Sequence, residues 1–224
     1  MKVRRTPSHP FEMRRKSGLH ILGIPSSRTE VADIVKAWFV ISFIFAMLNF
    51  RRGMGVNLFA LLFTTGFIRE FVIAGITVGV GFLLHELAHK IMAQRYGCMA
   101  EFRSDDMMLI VAMVMAFFLG FVFIAPGATM IAGRVRPEQS GKIALAGPLV
   151  NLLIAVSFLA LIFVPLPAAS EIALKGYFIN VFLATFNMIP FWFFDGKKVW
   201  TWNRGIWLGM IVVCIAMMVP FFIG

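Results

Sequence analysis

A short pattern that could bind a metal lies near the end of a long apolar run that begins at Phe71: the residues His-Glu-Leu-Ala-His at 85–89. On a helix, His85 and His89 lie one turn apart on the same face, so that one nitrogen of each ring can reach a single tetrahedral Zn²⁺ ion. Glu86 lies beside them as a candidate general base. Such groups are costly in hydrocarbon, and their presence in an apolar run of spanning length therefore predicts a functional site.

The composition makes a chance match uncommon. A chain with 4 His in 224 residues would carry this pattern by chance about twice in a thousand cases. The alternative is a pair of histidines that serve only packing, with Glu86 in water. The run that follows His89, Lys-Ile-Met-Ala-Gln, offers nothing that would satisfy two buried rings, so a metal site is favoured.

The overall composition is that of a membrane protein. Hydrophobic residues make up 60% of the chain and charged residues only 14%, whereas soluble domains are near half apolar and a quarter charged. The net charge of +10 does not indicate a nucleic-acid partner, because Lys and Arg cluster at the ends of the apolar runs, where they set topology and meet anionic lipid headgroups. We expect a multi-pass protein of the cell membrane with the lipid bilayer as its surroundings.

The chain divides into residues 1–30, a basic cytosolic or interfacial arm, and residues 31–224, a single membrane-embedded domain. The arm has no apolar core followed by a small-residue cleavage site, so no cleavable signal peptide is expected. A short stretch at 19–24 ends in a turn signal and could form a strand.

Six apolar runs of spanning length predict an all-α polytopic fold with about six transmembrane helices. They lie at about 31–49, 71–93, 107–132, 143–164, 172–193 and 205–223. A shorter run at 56–68, which stops at Arg69 and Glu70, predicts an interfacial or half-buried helix.

The positions of the basic residues orient these runs. When the basic loops are placed inside, the 85–89 turn lies toward the cytosol, and the run at 107–132 cannot be a single crossing. Arg51 and Arg52 on the outer side are an exception, and a seven-crossing layout that counts the short run at 56–68 would reverse the orientation. Its Pro126-Gly127 break predicts a short membrane-associated β or re-entrant hairpin.

A catalytic zinc usually keeps three protein ligands and one open position, so the two histidines need a partner. The later acids are the candidates, most of them in predicted loops: Glu101, Asp105, Asp106, Glu138, Glu171 and Asp195. Asp195 is favoured because the orientation places it at the depth of His85 and His89. Pro190 also breaks the preceding helix and can turn the carboxylate inward. The alternative for Asp195 is an ordinary turn acid before Gly196.

Three motifs now resemble the site-2 protease family of intramembrane zinc metalloproteases, in the order of that family. They are the His-Glu-Leu-Ala-His pattern at 85–89, Gly-Pro-Leu-Val-Asn at 147–151, and Asn-Met-Ile-Pro-Phe-Trp-Phe-Phe-Asp-Gly at 187–196. Gly23-Ile24-Pro25 also looks like the N-terminal strand of the family. The resemblance covers most of residues 20–200. The chain departs from the family pattern at two positions. Ala88 stands where the family often has Gly, and Lys197 stands where a second Gly commonly follows the Asp-Gly pair.

The resemblance implies one Zn²⁺ per chain, held by His85, His89 and Asp195, with Glu86 as base and acid and zinc-bound water as the nucleophile. For the oxyanion we propose Asn187 as a donor. Further substrate or structural positions are Asn151, Gly147, Pro148, Pro190 and Gly196. Asn151 serves a substrate role or is a helix-packing amide.

The expected substrate is a single-span membrane protein, whose helix must unwind locally before attack. The freed backbone could pair with a strand edge at 19–24 or 127–131. Two alternatives remain. One is a membrane protease whose third ligand is a later Glu, and the other is a metal-binding membrane protein without protease activity, either a transporter or an inactive scaffold. The substrate, the cut position and the oligomeric state are not determined by the sequence.

Overall fold

Long apolar helices dominate the computed structural model, which describes residues 19–21, 24–51, 64–122, 127–165, 168–191 and 193–220. Within these ranges three helices are long and apolar enough to cross a membrane: α1 (Arg28–Arg51), α2 (Thr65–Arg95) and α4 (Pro137–Leu159), which continues as a 3₁₀ turn to Phe163. About 20 residues of helix cover the roughly 30 Å of a hydrocarbon core, so each can span.

The remaining helices are shorter or more polar. They are α3 (Asp106–Leu119), α5 (Ala169–Asn187), α6 (Asp195–Trp202) and α7 (Arg204–Met218). Only α3 and α7 among these are strongly apolar, and they have 14 and 15 residues. The described chain is therefore a largely helical membrane-type fold, and a total of six crossings stays a prediction.

Helix α2 begins earlier than the sequence suggested. It starts at Thr65, where the hydroxyl of Thr64 accepts the N–H of Phe67, and it runs through Arg69 and Glu70 without a break. These two charged residues fit within the helix because α5 supplies partners for both. Residues 56–63 of the shorter apolar run lie outside the described residues.

A π-helical turn at Gly75–Gly79 interrupts α2 before the metal-binding pattern. The ring of Trp38 on α1 fills the space beside it, since a Cβ at Gly75 or Gly79 would lie 2.7 or 2.8 Å from that ring. The indole N–H of Trp38 donates to the carbonyl of Gly75 over 2.9 Å. Two glycines and one tryptophan thus allow α1 and α2 to pack closely.

Two small antiparallel sheets accompany the helices. Strands β1 (Leu19–Ile21) and β2 (Ile24–Ser26) form the first, with Leu19 opposite Ser26. Strands β3 (Met99–Ser104) and β4 (Gly127–Ala132) form the second, with Phe102 opposite Thr129. The apolar run at 107–132 is thus divided into helix α3 and strand β4, and its entry into the membrane stays a prediction.

A buried ion pair joins the strands to the metal-binding helix. The ammonium of Lys90 on α2 lies 2.7 Å from the carboxylate of Glu30 on α1, and their side chains are 2% and 1% exposed. Lys90 also donates to the hydroxyl of Ser26 on β2, and Glu30 accepts the backbone N–H of Phe102 on β3. One pair therefore fixes α1, β2 and β3 to the residue that follows His89.

We expect Glu30→Gln to destabilise the fold strongly, because it leaves the Lys90 ammonium buried without a counter-charge, a change that costs about 3–5 kcal/mol. Thermal unfolding of the purified protein in detergent measures the effect. The matched control is Glu138→Gln, which removes an exposed partner of Lys142 and should leave the unfolding temperature nearly unchanged. Equal unfolding temperatures for the two variants would contradict this role of the buried pair.

Candidate metal centre

Helix α2 presents His85 and His89 on its buried side. The two residues are 4% and 7% exposed, and their Nε2 atoms lie 3.0 Å apart. Their spacing of four residues brings both rings to one side of the helix, as the sequence predicted. The rings meet edge to face, with centroids 4.6 Å apart, so the two nitrogens point toward a shared space.

The carboxylate of Asp195 faces the same space from helix α6. Its Oδ2 lies 3.3 Å from Nε2 of His85 and 3.0 Å from Nε2 of His89. Asp195 is the first residue of α6 and is 8% exposed. Residues that are more than a hundred positions apart in the chain therefore meet at one point.

Glycine at position 196 allows this placement. A Cβ there would overlap the backbone carbonyl of Met188. The first turn of α6 can therefore lie against the end of α5 only because residue 196 has no side chain. The indole N–H of Trp207 donates to the same carbonyl over 2.8 Å. Pro190 lies exposed in the segment that connects the two helices, where its missing N–H and the bulk of its ring keep α5 from continuing.

The second nitrogen of each ring is fixed by an acceptor on α4. Nδ1 of His85 lies 2.5 Å from Oδ1 of Asn151, and Nδ1 of His89 lies 2.8 Å from the carbonyl of Ile143. Because a carbonyl oxygen can only accept, each Nδ1 carries the proton and donates it. In the neutral form of each ring, Nε2 then has the free lone pair, which is the form that binds a metal.

Three lone-pair donors thus converge, and the distances among them fit zinc. Ligands about 2.0–2.1 Å from a tetrahedral ion lie about 3.3 Å from one another, close to the observed 3.0 to 3.3 Å. Two neutral imidazoles and one carboxylate form the ligand type of catalytic zinc sites. Within the described residues, this is the one group of three or more His, Cys, Asp or Glu that could hold a metal ion.

Gly147 lies directly against the two ring nitrogens. A Cβ at this position would lie 2.5 Å from Nε2 of His89 and 2.6 Å from Nε2 of His85. Pro148 beside it is buried inside α4. Ile143, Gly147 and Asn151 are spaced four residues apart, so one face of α4 supplies both acceptors and the space for the ion.

Glu86 is also buried and is attached to strand β4. It is 8% exposed, and its Oε2 accepts the backbone N–H of Thr129 over 2.7 Å. The hydroxyl of Thr129 donates to the backbone carbonyl of Glu86 over 2.9 Å. These bonds place β4, one of the strand edges predicted to receive a substrate, beside the candidate base.

The other acids that the sequence left open as third ligands are engaged elsewhere. Glu101 pairs with Arg103, and Asp106 with Lys36. Asp105 caps α3. Glu138 and Glu171 belong to separate ion pairs, with Lys142 and with Arg69 and Lys175. Of the six acids, Asp195 is therefore the one that lies beside both histidines, and its role as a metal ligand stays a prediction.

Asn187 lies at the end of α5, and its side-chain N–H donates to the carbonyl of Leu183 over 2.9 Å. Its assignment as an oxyanion donor stays a prediction. Sequence reasoning missed three partners of the centre: Thr129, the carbonyl of Ile143, and Asn180, which bonds to Asn151. Only Asn180 carried a signal, as an amide inside an apolar run that needs a hydrogen-bond partner.

Separate substitutions of Asp195 and Glu171 should show which of these two acids is the third ligand. Loss of a residue that hydrogen-bonds to a metal ligand typically lowers metal affinity about 10–100-fold. We expect Asp195→Ala, which removes a ligand itself, to lower zinc affinity by more than this. Glu171→Ala should leave it unchanged, because that side chain pairs with Arg69 and Lys175. Metal analysis and chelator competition on purified protein measure both, and full zinc retention by Asp195→Ala would refute the assignment.

A methyl group at position 147 should block the ion. We expect Gly147→Ala to abolish or strongly weaken zinc binding, since its Cβ would take up the space between the two ring nitrogens. Gly209→Ala is the matched control, because a Cβ at Gly209 meets nothing within 4 Å. Titration with Zn²⁺ under chelator competition compares the two variants, and equal affinities would contradict the observed packing.

Comparison with known proteins agrees with this centre. No protein-family model matches the chain, and no solved structure matches it. A curated protein of Methanocaldococcus jannaschii, named "Putative zinc metalloprotease MJ0611", is 41% identical over 184 residues, which are 81% of this chain and 88% of that protein. The chain therefore belongs to the zinc metalloprotease family of this archaeal protein, as the resemblance of its motifs to the site-2 proteases predicted.

Proposed function

We propose that this protein is an intramembrane endopeptidase that hydrolyses peptide bonds in or near transmembrane segments of single-span membrane proteins. The observation that carries the proposal is a buried His-His-Asp centre on a helix of spanning length, with a buried glutamate next to the first ligand.

The depth of the centre supports cleavage inside the membrane. At 1.5 Å per residue, His85 and His89 lie about 15 Å and about 9 Å from the end of α2 at Arg95. If α2 crosses the bilayer, the centre lies below the headgroups, near enough to one surface for water to enter.

The charges favour a cytosolic orientation of that surface. Basic residues lie at the same ends of the helices as the centre: Arg95, Arg134, Arg136, Lys142, Lys197 and Lys198. The opposite ends carry Arg51, the last residue of α1, and also Arg69 and Lys175, which are paired with Glu171 and Glu70 respectively. Since short loops rich in Lys and Arg stay in the cytosol, we place the active site toward the cytosol of a multi-pass protein in the cell membrane.

The chemistry is general acid–base hydrolysis at a metal. A Zn²⁺ ion held by His85, His89 and Asp195 would polarise the scissile carbonyl and make the attacking water more acidic. Glu86 takes the proton of that water and passes it to the leaving amine. The side-chain oxygen of Asn151 and the carbonyl of Ile143, the two acceptors on α4, keep the rings in place throughout.

A helical substrate must expose its peptide bonds before they can be attacked. We propose that the unwound segment pairs with a strand edge, either at residues 19–24 or at 127–131. The position of β4 beside Glu86 favours the second edge, because Thr129 bonds to both the side chain and the backbone of Glu86.

We expect Glu86→Gln to lower cleavage by about 10²–10⁴-fold, because the amide cannot take up a proton, while zinc content stays at one per chain. Cleavage of single-span peptides in proteoliposomes, read by mass spectrometry, measures the loss. Glu138→Gln, a change of the same kind at an exposed pair, should keep full activity. Undiminished cleavage by Glu86→Gln would defeat the role given to Glu86, and a zinc-free Glu86→Gln would show that the loss lies in binding.

A further inference from the structure

A second amide lies behind Asn151, further from the metal centre and outside all three sequence motifs. Asn180 on α5 is completely buried. Its Oδ1 accepts a hydrogen bond from Nδ2 of Asn151 over 2.9 Å, and its own Nδ2 donates to the backbone carbonyl of Gly176 over 2.8 Å. A buried amide with every bond directed at named partners has one orientation.

Backbone carbonyls determine which way both amides point. The carbonyl of Gly176 can only accept, so the NH₂ group of Asn180 faces it and its oxygen faces Asn151. Asn151 must then turn its NH₂ group toward Asn180, and this group also donates to the carbonyl of Gly81 over 3.2 Å. The oxygen of Asn151 is left to face Nδ1 of His85.

The packing of α2 against α5 is shaped for this amide. A Cβ at Gly81 would overlap Oδ1 of Asn180, so a larger residue at position 81 would displace the side chain. Gly81 therefore both accepts from Asn151 and leaves space for Asn180. The two amides and the glycine form one unit, which we name the amide relay (Gly81, Asn151 and Asn180).

We propose that Asn180 is a positioning residue that sets the zinc affinity of the centre through the amide relay, an inference that rests on the proposed metalloprotease function. With its oxygen toward His85, Asn151 keeps the ring proton on Nδ1 and the lone pair on Nε2. With its amide reversed, Asn151 would present NH₂ to Nδ1, and the ring would carry its proton on Nε2, where the metal binds. Asn180 opposes that reversal because its oxygen cannot donate.

The relay predicts non-additive effects on zinc affinity. We expect Asn151→Leu to weaken Zn²⁺ binding about 10–100-fold, the range for loss of an outer partner. Asn180→Leu should weaken it within the same range or less. If Asn180 acts only through Asn151, Asn180→Leu added to Asn151→Leu changes nothing further. Asn180→Asp keeps an acceptor toward Asn151 but loses the donor to the carbonyl of Gly176, so it should retain more affinity than Asn180→Leu and less than the wild type.

The experiment titrates Zn²⁺ into each purified full-length variant under chelator competition and records the absorption spectrum of the Co²⁺ form. Thr185→Val is the matched control on α5, because the hydroxyl of Thr185 donates to the carbonyl of Val181 and contacts the thiol of Cys214 on α7, and it therefore lies outside the relay. Thermal unfolding identifies variants that do not fold. If Asn180→Leu does not fold, the zinc affinities of Asn180→Asp and Asn180→Ala are compared instead. The proposal would be overturned if Asn180→Leu bound zinc with wild-type affinity. It would also be overturned if Asn180→Leu lowered the affinity by the same factor in the Asn151→Leu variant as in the wild type. Zinc retention by Asp195→Ala would instead count against the proposed function.

Discussion

The structure depends on bringing three lone pairs to one point in a buried place. Two imidazole nitrogens and one carboxylate oxygen, all within 3.3 Å of one another, repel each other unless a cation lies between them. Each ring must also keep its proton on the far side. Nearly every other feature of the centre serves one of these two requirements: an acceptor behind each ring, or space in front of it.

Helix α4 meets both requirements with a single face. It runs antiparallel to α2, as its contacts show: Asn151 bonds to His85, and the earlier residue Ile143 bonds to the later residue His89. The four-residue spacing of the ligands on α2 is thus matched by the four-residue spacing of Ile143, Gly147 and Asn151. Gly147 lies midway, where its missing side chain leaves space for the ion. A motif that looked separate in the sequence thus forms the other half of the candidate metal centre.

Buried charge is handled in the same way elsewhere in the molecule. Lys90 directly follows His89 in the chain, but its side chain pairs with Glu30 on α1. Glu30 in turn accepts the backbone N–H of Phe102 and so fixes strand β3. Glu86 holds strand β4 by the N–H of Thr129. The sheet of β3 and β4 is therefore attached at both outer edges to carboxylates, one structural and one proposed to be catalytic. The position of the strands and the position of the base are set together.

The sequence by itself predicted the donor groups of the centre, because a helix puts residues four apart on one face whatever surrounds it. It therefore identified His85, His89 and Glu86, the apolar class of the fold, and Asp195 as the best of six acids. It did not determine the start of α2 at Thr65, the π-turn against Trp38, or the pairing of β3 with β4, since each depends on a distant partner. The tertiary structure alone decided that Asp195 meets the histidines and that Asn151 and Asn180 orient them. The physical reason is that a hydrogen bond between helices far apart in the chain depends on how those helices pack, which the residue spacing within either helix does not specify.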